Sequence, residues 1–144
     1  MFTIRHIDHI VLRVTDIDRM LAFYIDALGC TMEKIQDAIG LWQLRAGNSL
    51  IDLVTITGKL GREGGRAPGV EGRNLDHLCL SIEPFDGERL IAFFRAKGID
   101  AGEVVARYGA EGSGPSIYLS DPEGNVVELK GPPDRMVGDD EATT

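Results

Sequence analysis

The chain has 144 residues, of which 43% are hydrophobic, and its 15 basic and 23 acidic side chains give a net charge of −8. This length fits one domain, and the apolar content is sufficient for a core, which argues against a disordered chain. The acidic balance lacks the basic footprint of a nucleic-acid-binding protein. The longest apolar run, Met20 to Ile25, is far shorter than the ~20 residues of a membrane span.

The first residues contain no apolar stretch ending in small side chains, so no signal peptide is predicted and the expected location is the cytoplasm. Cys30 and Cys79 are the only cysteines, which excludes a disulfide framework and a cysteine zinc site. We expect both to be buried small hydrophobes rather than reactive thiols. The acidic excess after Gly131 predicts a solvated, disordered tail over residues 132–144.

In chain order, a predicted strand over residues 7–14 precedes a helix that Asp16 caps and Gly29 ends. Three strands follow, at about 31–36, 41–45 and 49–56. The apolar face of this helix comprises Ile17, Met20, Leu21, Tyr24 and Leu28.

Residues 57–74 contain six glycines, and a loop of this length is usually a flexible linker or a functional lid. A second series of elements comes after it. A strand over residues 75–82 precedes a helix over 85–97, which Gly98 ends. The last three predicted strands are at about 104–107, 116–120 and 125–130, with a turn at residues 121–125.

The chain therefore repeats itself once. Ile7 to Val14 aligns with Leu75 to Ile82, and Leu50 to Val54 aligns with Val126 to Lys130. A repeat of this length must be recognised first because it determines the fold. It predicts an α+β fold of two tandem βαβββ modules, about residues 5–57 and 75–131, within one domain over residues 1–131.

Four polar side chains occupy equivalent strand positions in the two modules: His9 and Asp52, then His77 and Glu128. Strand alternation places them on faces that are not the obvious core faces. A lone histidine is more often a core residue, and a lone acid usually lies at a solvated edge. The repetition favours a different interpretation, in which the modules pair and the four side chains converge inside a cup that holds a divalent metal ion.

Four segments carry a family resemblance: IDHIVLRV from Ile7, AFYIDALGC from Ala22, LDHLCLSI from Leu75 and SIYLSDPEGNVVEL from Ser116. They resemble the vicinal oxygen chelate superfamily, which includes glyoxalase I, fosfomycin-resistance proteins, bleomycin-binding proteins and extradiol dioxygenases. The resemblance implies a metal-holding cup of two βαβββ modules, often completed by a dimer, with one divalent ion (Ni, Co, Zn, Mn or Fe).

The same resemblance implies that His9, His77 and Glu128 are metal ligands. Asp52 lies where glyoxalase I has a glutamate, and its shorter side chain leaves open a direct bond, a bond through water, or a role as base only. By resemblance, Glu128 and Asp52 are also the candidate catalytic proton-transfer groups. Arg13 shares the His9 face and is a candidate to bind an anionic group of the substrate.

The function implied first is a lyase or isomerase like glyoxalase I, which converts the hemithioacetal of a 2-oxoaldehyde to a 2-hydroxyacyl thioester through an enediolate. One alternative is an Fe(II) extradiol-type dioxygenase, in which Tyr118 would contact the substrate. A fosfomycin-type thiol transferase, with Arg13 and Lys130 near the anion, and a metal-free bleomycin-resistance-like binding protein also remain open. We expect a small-molecule substrate and a homodimer, with no nucleic-acid or membrane partner.

Overall fold

The computed structural model describes residues 1–136. The chain forms two compact units, Met1–Arg73 and a second that begins at Asn74. Among residues 1–136, no helix is both long enough and apolar enough to cross a membrane.

The first unit contains a four-stranded sheet in the order β1-β4-β3-β2, one longer helical segment and two short 3-10 turns, Asp37–Ile39 and Gly61–Gly64. Strand β1 runs parallel to β4, whereas β3 is antiparallel to both of its neighbours. The elements in chain order are β1 (His9–Val14), α1 (Ile17–Leu21), β2 (Thr31–Gln36), β3 (Leu41–Ala46) and β4 (Ser49–Thr55).

The second unit repeats this arrangement, with the sheet order β5-β8-β7-β6 and one additional short strand, β9, paired with β7. Its elements are β5 (His77–Ser81), α2 (Gly87–Ala96), β6 (Val105–Gly109), β7 (Gly112–Ser120), β8 (Val126–Lys130) and β9 (Arg135–Met136).

Both helices begin in the same way. The side chain of Asp16 accepts a hydrogen bond from the backbone N–H of Arg19, and that of Asp86 accepts one from Arg89, each at 3.1 Å. A carboxylate in this position satisfies an N–H group that has no partner within the helix. Past the helices, Gly29 and Gly98 have φ angles of 81° and 74°, a conformation that favours glycine.

The core lies on the strand faces predicted to be apolar. In the first unit, Val14 and Leu53 are fully buried, and in the second, Val127 is fully buried and Leu129 nearly so. The opposite faces carry the polar residues: Val11 on β1 is 50% exposed, and it pairs with Asp52 on β4. The alternation along each strand therefore directs one set of side chains into the core and the other to a polar face.

Three elements differ from the sequence-based expectation. The first helix changes after α1 to π-helical turns over Ala22–Ala27, in which Leu28 N–H bonds to Phe23 O at 3.0 Å. The π turn allows the consecutive side chains Phe23 and Tyr24 both to be buried. Strand β7 begins at Gly112 rather than near residue 116. A two-residue turn after β6 brings Gly112, Ser113 and Gly114 into register with β6, although glycine and serine seldom form strands by local preference.

The third difference concerns the predicted tail. Residues 135 and 136 pair with Ser113 and Gly112 of β7, and Asp134 N–H bonds to Ser113 O at 2.7 Å. The start of the segment predicted to be disordered therefore adds to the sheet. Residues 137–144 lie outside the described residues, so the prediction for them stays a prediction.

Candidate functional site

In the first unit, His9 and Asp52 lie on the same polar face of the sheet. The parallel register places Leu50 opposite His9 and Asp52 opposite Val11, so the two side chains are diagonal neighbours. His9 is half-exposed at the start of β1, whereas Asp52 in the middle of β4 is only 3% exposed. Asp8 accepts a hydrogen bond at 2.6 Å from His9 Nδ1 and raises the pKa of His9, and the negative charge of Asp52 adds to this effect.

The two carboxylate oxygens of Asp52 have different surroundings. Gln43 Nε2 donates to Oδ2 at 3.1 Å, and Gln36 Nε2 in turn donates to Gln43 Oε1 at 3.2 Å. Oδ1 is buried and has no hydrogen-bond partner among the described residues. A buried acceptor without a donor costs about 1–3 kcal/mol, and a cation bound at Oδ1 would remove that cost.

In the second unit, Glu128 holds the equivalent position and has the same asymmetry. Ser116 Oγ donates to Glu128 Oε1 at 2.6 Å. The other oxygen, Oε2, lies 3.1 Å from His77 Nε2. Glu128 is 5% exposed, so this contact is made by a buried carboxylate.

The contact between His77 and Glu128 requires a positive charge. Asp76 lies 2.7 Å from His77 Nδ1 and raises the pKa of His77, with a further contribution from Glu128. When Nδ1–H donates to Asp76, Nε2 of the neutral ring is an acceptor that faces another acceptor, Oε2 of Glu128. Either a proton on Nε2 or a bound metal ion relieves this repulsion, and adjacent ligands of an octahedral ion with bonds of about 2.1 Å are about 3.0 Å apart.

The structure brings the predicted ligands together in two pairs, His9 with Asp52 and His77 with Glu128. Among the residues that the structure describes, no three His, Cys, Asp or Glu side chains form a group that could hold a metal ion. Each pair has histidine and carboxylate donors suited to a divalent cation. The joining of the two pairs into one four-residue centre stays a prediction.

Arg13, a candidate substrate-binding residue, is engaged in the structure by the glycine-rich segment. Its guanidinium donates to Gly61 O at 2.8 Å, to Gly65 O at 2.5 Å and to Arg66 O at 3.0 Å. These bonds use three of the five guanidinium N–H donors, so two remain for an anionic ligand. The structure therefore gives Arg13 an anchoring role that spacing did not predict, and its role toward a substrate stays a prediction.

Tyr118, the other candidate substrate-binding residue, lies directly beside the second pair. It is opposite Glu128 in the register of β7 and β8, and its ring centroid is 5.7 Å from that of His77, edge to face. Its hydroxyl accepts a hydrogen bond from Arg107 Nε at 3.1 Å. Tyr118 is therefore a neighbour of the candidate ligands.

Next to this pair is a cavity of about 340 Å³. Cys79, one of its lining residues, is exposed rather than buried as predicted, because it lies on the polar face of β5 opposite Glu128. Partial removal of the thiol from water and the charge of Glu128 raise the pKa of Cys79 to about 11, so the thiol is protonated near neutral pH. The cavity is lined by His77, Cys79, Ser81, Tyr108, Gly109, Ala110, Glu111, Glu128, Lys130 and Gly131.

Sequence reasoning did not single out the residues that orient the candidate ligands. Gln43 and Ser116 each hold one carboxylate oxygen and are recognisable only once the strand register is known. Asp8 and Asp76 were visible as an Asp-His pair in both halves, but the sequence does not show that each carboxylate bonds to the next ring. Such contacts orient a histidine ligand and set its tautomer.

A family model described as the Glyoxalase/Bleomycin resistance protein/Dioxygenase superfamily matches residues 6–129. The chain belongs to this superfamily. Membership confirms the resemblance inferred from the sequence, and the two βαβββ modules confirm the predicted fold.

Solved structures agree with this assignment. A virulence protein from Salmonella typhimurium is 28% identical, with a TM-score of 0.75, over 91% of this chain and 99% of that one. A lactoylglutathione lyase from Agrobacterium tumefaciens is 22% identical, with a TM-score of 0.62, over 88% and 92%. The antibiotic-binding protein TnmS3 from Streptomyces sp. CB03234 is 20% identical, with a TM-score of 0.65, over 92% and 99%. At these last two identities, the likeness supports the fold alone.

Proposed function

We propose that this protein is a divalent-metal-dependent lyase or isomerase of the glyoxalase type, in which His9, Asp52, His77 and Glu128 bind one ion. The observation that carries the proposal is the close approach of His77 Nε2 to Glu128 Oε2, at 3.1 Å, while Nδ1 of the same ring bonds to Asp76. The buried oxygen of Asp52 without a donor supports the same role in the first unit. A mixed nitrogen and oxygen donor set suits Ni, Co, Zn, Mn or Fe.

When bound, the metal would act as a Lewis acid on a carbonyl or enediolate oxygen of the substrate. The chain's own contribution would be the movement of a proton. In the isomerisation of a hemithioacetal to a 2-hydroxyacyl thioester, one proton leaves a carbon atom and another is delivered to its neighbour, with no net oxidation. Asp52 and Glu128 each have one oxygen held by a donor from a neighbouring strand. The second oxygen, Oδ1 of Asp52 or Oε2 of Glu128 beside His77, would accept the proton in general-base catalysis.

The proposal includes a homodimer that acts in the cytoplasm. Strands β1 and β5 are edge strands of their sheets among the described residues, and an exposed edge is a surface on which a second chain can pair. The oligomeric state in solution tests this part of the proposal. A monomer that binds one equivalent of metal would place all the ligands in one chain, whereas a dimer allows the site to be completed across two chains.

The first test is elemental analysis of untagged protein purified without nickel resin or chelator. We expect about one equivalent of a divalent metal per chain, and its loss in His77→Ala. His6→Ala is a matched control, because His6 is an exposed histidine that lies outside both pairs. The hemithioacetals of 2-oxoaldehydes are then the first substrates to assay. No metal as purified, and no uptake on titration, would contradict the proposal and favour a small-molecule binding protein.

One observation favours a second candidate, an Fe(II) ring-cleaving dioxygenase. Tyr118 lies edge to face with His77, and its hydroxyl is held by Arg107, so a phenol is available beside the candidate ligands. Iron as the only metal, together with oxygen consumption in the presence of a catechol, would support this function. Turnover of a hemithioacetal without oxygen consumption would support the glyoxalase type.

A further inference from the structure

Lys130, the last residue of β8, is a buried lysine in an acidic chain. It is 8% exposed. Its backbone is fixed on both sides, because Lys130 pairs with Ser81 and Ser116, and its carbonyl accepts from Ile82 N–H at 2.8 Å. The strand alternation puts its side chain on the same polar face as Glu128, two residues before it.

Two glycines make room for the lysine side chain. A Cβ atom added at Gly109 would lie 2.8 Å from Cε of Lys130, and one added at Gly114 would lie 3.0 Å from Nζ. Any larger residue at either position would require the side chain to move. The stem of Lys130 therefore packs over the backbone of β6 and β7, which determines where the ammonium group lies.

The ammonium group has no hydrogen bond or ion pair with any other residue of the part of the chain that the structure describes. Its Nζ is not among the fully buried atoms without a partner, so the end of the side chain keeps some access to solvent. Most of the Lys130 side chain is removed from water, and a charge that is only partly hydrated is normally paired with an opposite one. Lys130 lines the same cavity of about 340 Å³ as His77 and Glu128. A cavity with one unpaired cation in its wall is suited to a ligand that carries the matching negative charge.

We propose that Lys130 binds an oxyanion, a carboxylate or phosphate group, of the substrate. The substrate part of this inference rests on the proposed function, since the reacting group would lie at Glu128. Two residues along a strand separate side chains by about 6.7 Å, so the anionic group would lie a few bonds from the reacting carbon. The substrate class is then a small carbonyl compound that carries an oxyanion.

The test uses the full chain without metal, at constant ionic strength in chloride. Inorganic phosphate and acetate are titrated separately, and the backbone amide signals of Gly109 and Gly114 are followed by NMR. We expect saturable shifts centred on these glycines. Tighter binding of phosphate would indicate a phosphate-bearing substrate, and tighter binding of acetate a carboxylate. Shifts that do not saturate, or that centre elsewhere in the chain, would overturn the proposal.

Three variants sharpen the test. Lys130→Met keeps the length and apolar stem of the side chain, and we expect it to weaken anion binding at least ten-fold. Lys130→Arg keeps the charge and is expected to retain binding. Lys97→Met is the matched control, since Lys97 is an exposed lysine of the same unit outside the cavity. An unchanged dissociation constant in folded Lys130→Met would also overturn the proposal.

The anion titration and the metal analysis fail independently. If the protein binds phosphate at Lys130 but takes up no metal, the proposed function is contradicted and the proposed anion site is supported. A protein that binds one equivalent of metal but shows no effect of Lys130→Met would retain the metal centre and lose the anion site.

Discussion

At the scale of single residues, the two candidate acids share one design. A neighbouring strand donates a hydrogen bond to one oxygen, from Gln43 to Asp52 and from Ser116 to Glu128. The other oxygen of Glu128 lies beside the imidazole of His77. The other oxygen of Asp52, Oδ1, is buried and has no hydrogen-bond partner among the described residues. Such partly satisfied carboxylates are destabilising in a metal-free protein and are typical of functional positions.

The first prediction follows for Asp52→Asn. The amide oxygen can keep the bond from Gln43, and the buried negative charge without a second partner is removed. We therefore expect the metal-free variant to be more stable than the parent by about 1 kcal/mol, measured by urea unfolding. Its metal affinity is expected to fall about ten-fold or more, measured by titration calorimetry.

Asp26→Asn is the control for this substitution, because Asp26 is exposed on the π-helical turns. It is expected to change neither stability nor metal affinity. A metal-free Asp52→Asn protein that is clearly less stable than the parent would show that Oδ1 has a stabilising partner and would weaken its assignment as a ligand atom.

At the scale of elements, the glycine-rich segment after β4 is held by one side chain. The short helical turn Gly61–Gly64 is fixed through Arg13, whose donors reach the carbonyls of Gly61, Gly65 and Arg66. A Cβ atom at Gly61 would collide with the backbone of Thr55, so the segment also needs glycine at its first position. The segment is therefore closely packed at Gly61, whereas residues 62–66 are exposed and held through Arg13.

The second prediction concerns Arg13→Ala. Loss of three hydrogen bonds, each contributing about 1 kcal/mol, should let the segment open more often. We expect amide hydrogen exchange over residues 61–66 to rise at least ten-fold while the strands remain protected, measured by mass spectrometry. Arg19→Ala, at an exposed arginine that supplies only its backbone N–H to the Asp16 cap, should leave the exchange unchanged. Equal exchange in Arg13→Ala and the parent would contradict the anchoring role.

The third prediction concerns β9. This strand has two ladder pairs with β7, and the carbonyl of Pro132 lies against Gly114. A chain that ends at Met136 retains these contacts, whereas one that ends at Gly131 loses them. We expect the shorter chain to be less stable by about 1–2 kcal/mol, since a few backbone hydrogen bonds contribute about that much. Equal melting temperatures of the two truncated chains would show that β9 adds nothing to the sheet.

At the scale of the whole molecule, the repeat allowed most of the fold to be predicted. Period-two alternation located the strands, and the glycines after each helix marked its end, because both depend on local sequence. The π-helical turns and the early start of β7 depend on packing and pairing that local preference does not contain. The order of the strands and helix within each module was therefore predictable, but the π-helical turns and the start of β7 were not.

The candidate site shows the same division. The repeated positions of His9 and His77, with their acids, are visible in the sequence. The burial of Lys130 is not, because it depends on Gly109 and Gly114 of two other strands. The engagement of Arg13 by carbonyls about fifty residues later was equally hidden, since any surface arginine has the same sequence pattern.

The net charge of the site couples proton binding, metal binding and stability. His77 and His9 both have a pKa above the ordinary value of about 6.5, because the carboxylates of Asp76 and Asp8 bond to their rings. A raised pKa in the folded state means that the folded protein holds its proton more tightly than the unfolded chain. The resulting stabilisation is complete below about pH 6.5 and is lost as the pH rises through the pKa of the folded state.

The last prediction is that a divalent metal reverses this pH dependence. The metal-free protein should lose stability as the pH rises above about 6.5, because the histidine protons that favour the folded state leave. With excess metal, stability should rise over the same pH range, since a metal binds the deprotonated imidazole and competes with the proton. Melting temperatures measured across this range, with and without metal, test both slopes. His77→Gln should reduce both slopes to the contribution of His9, and His6→Gln should change neither. A slope that metal does not alter would separate His77 from the metal site.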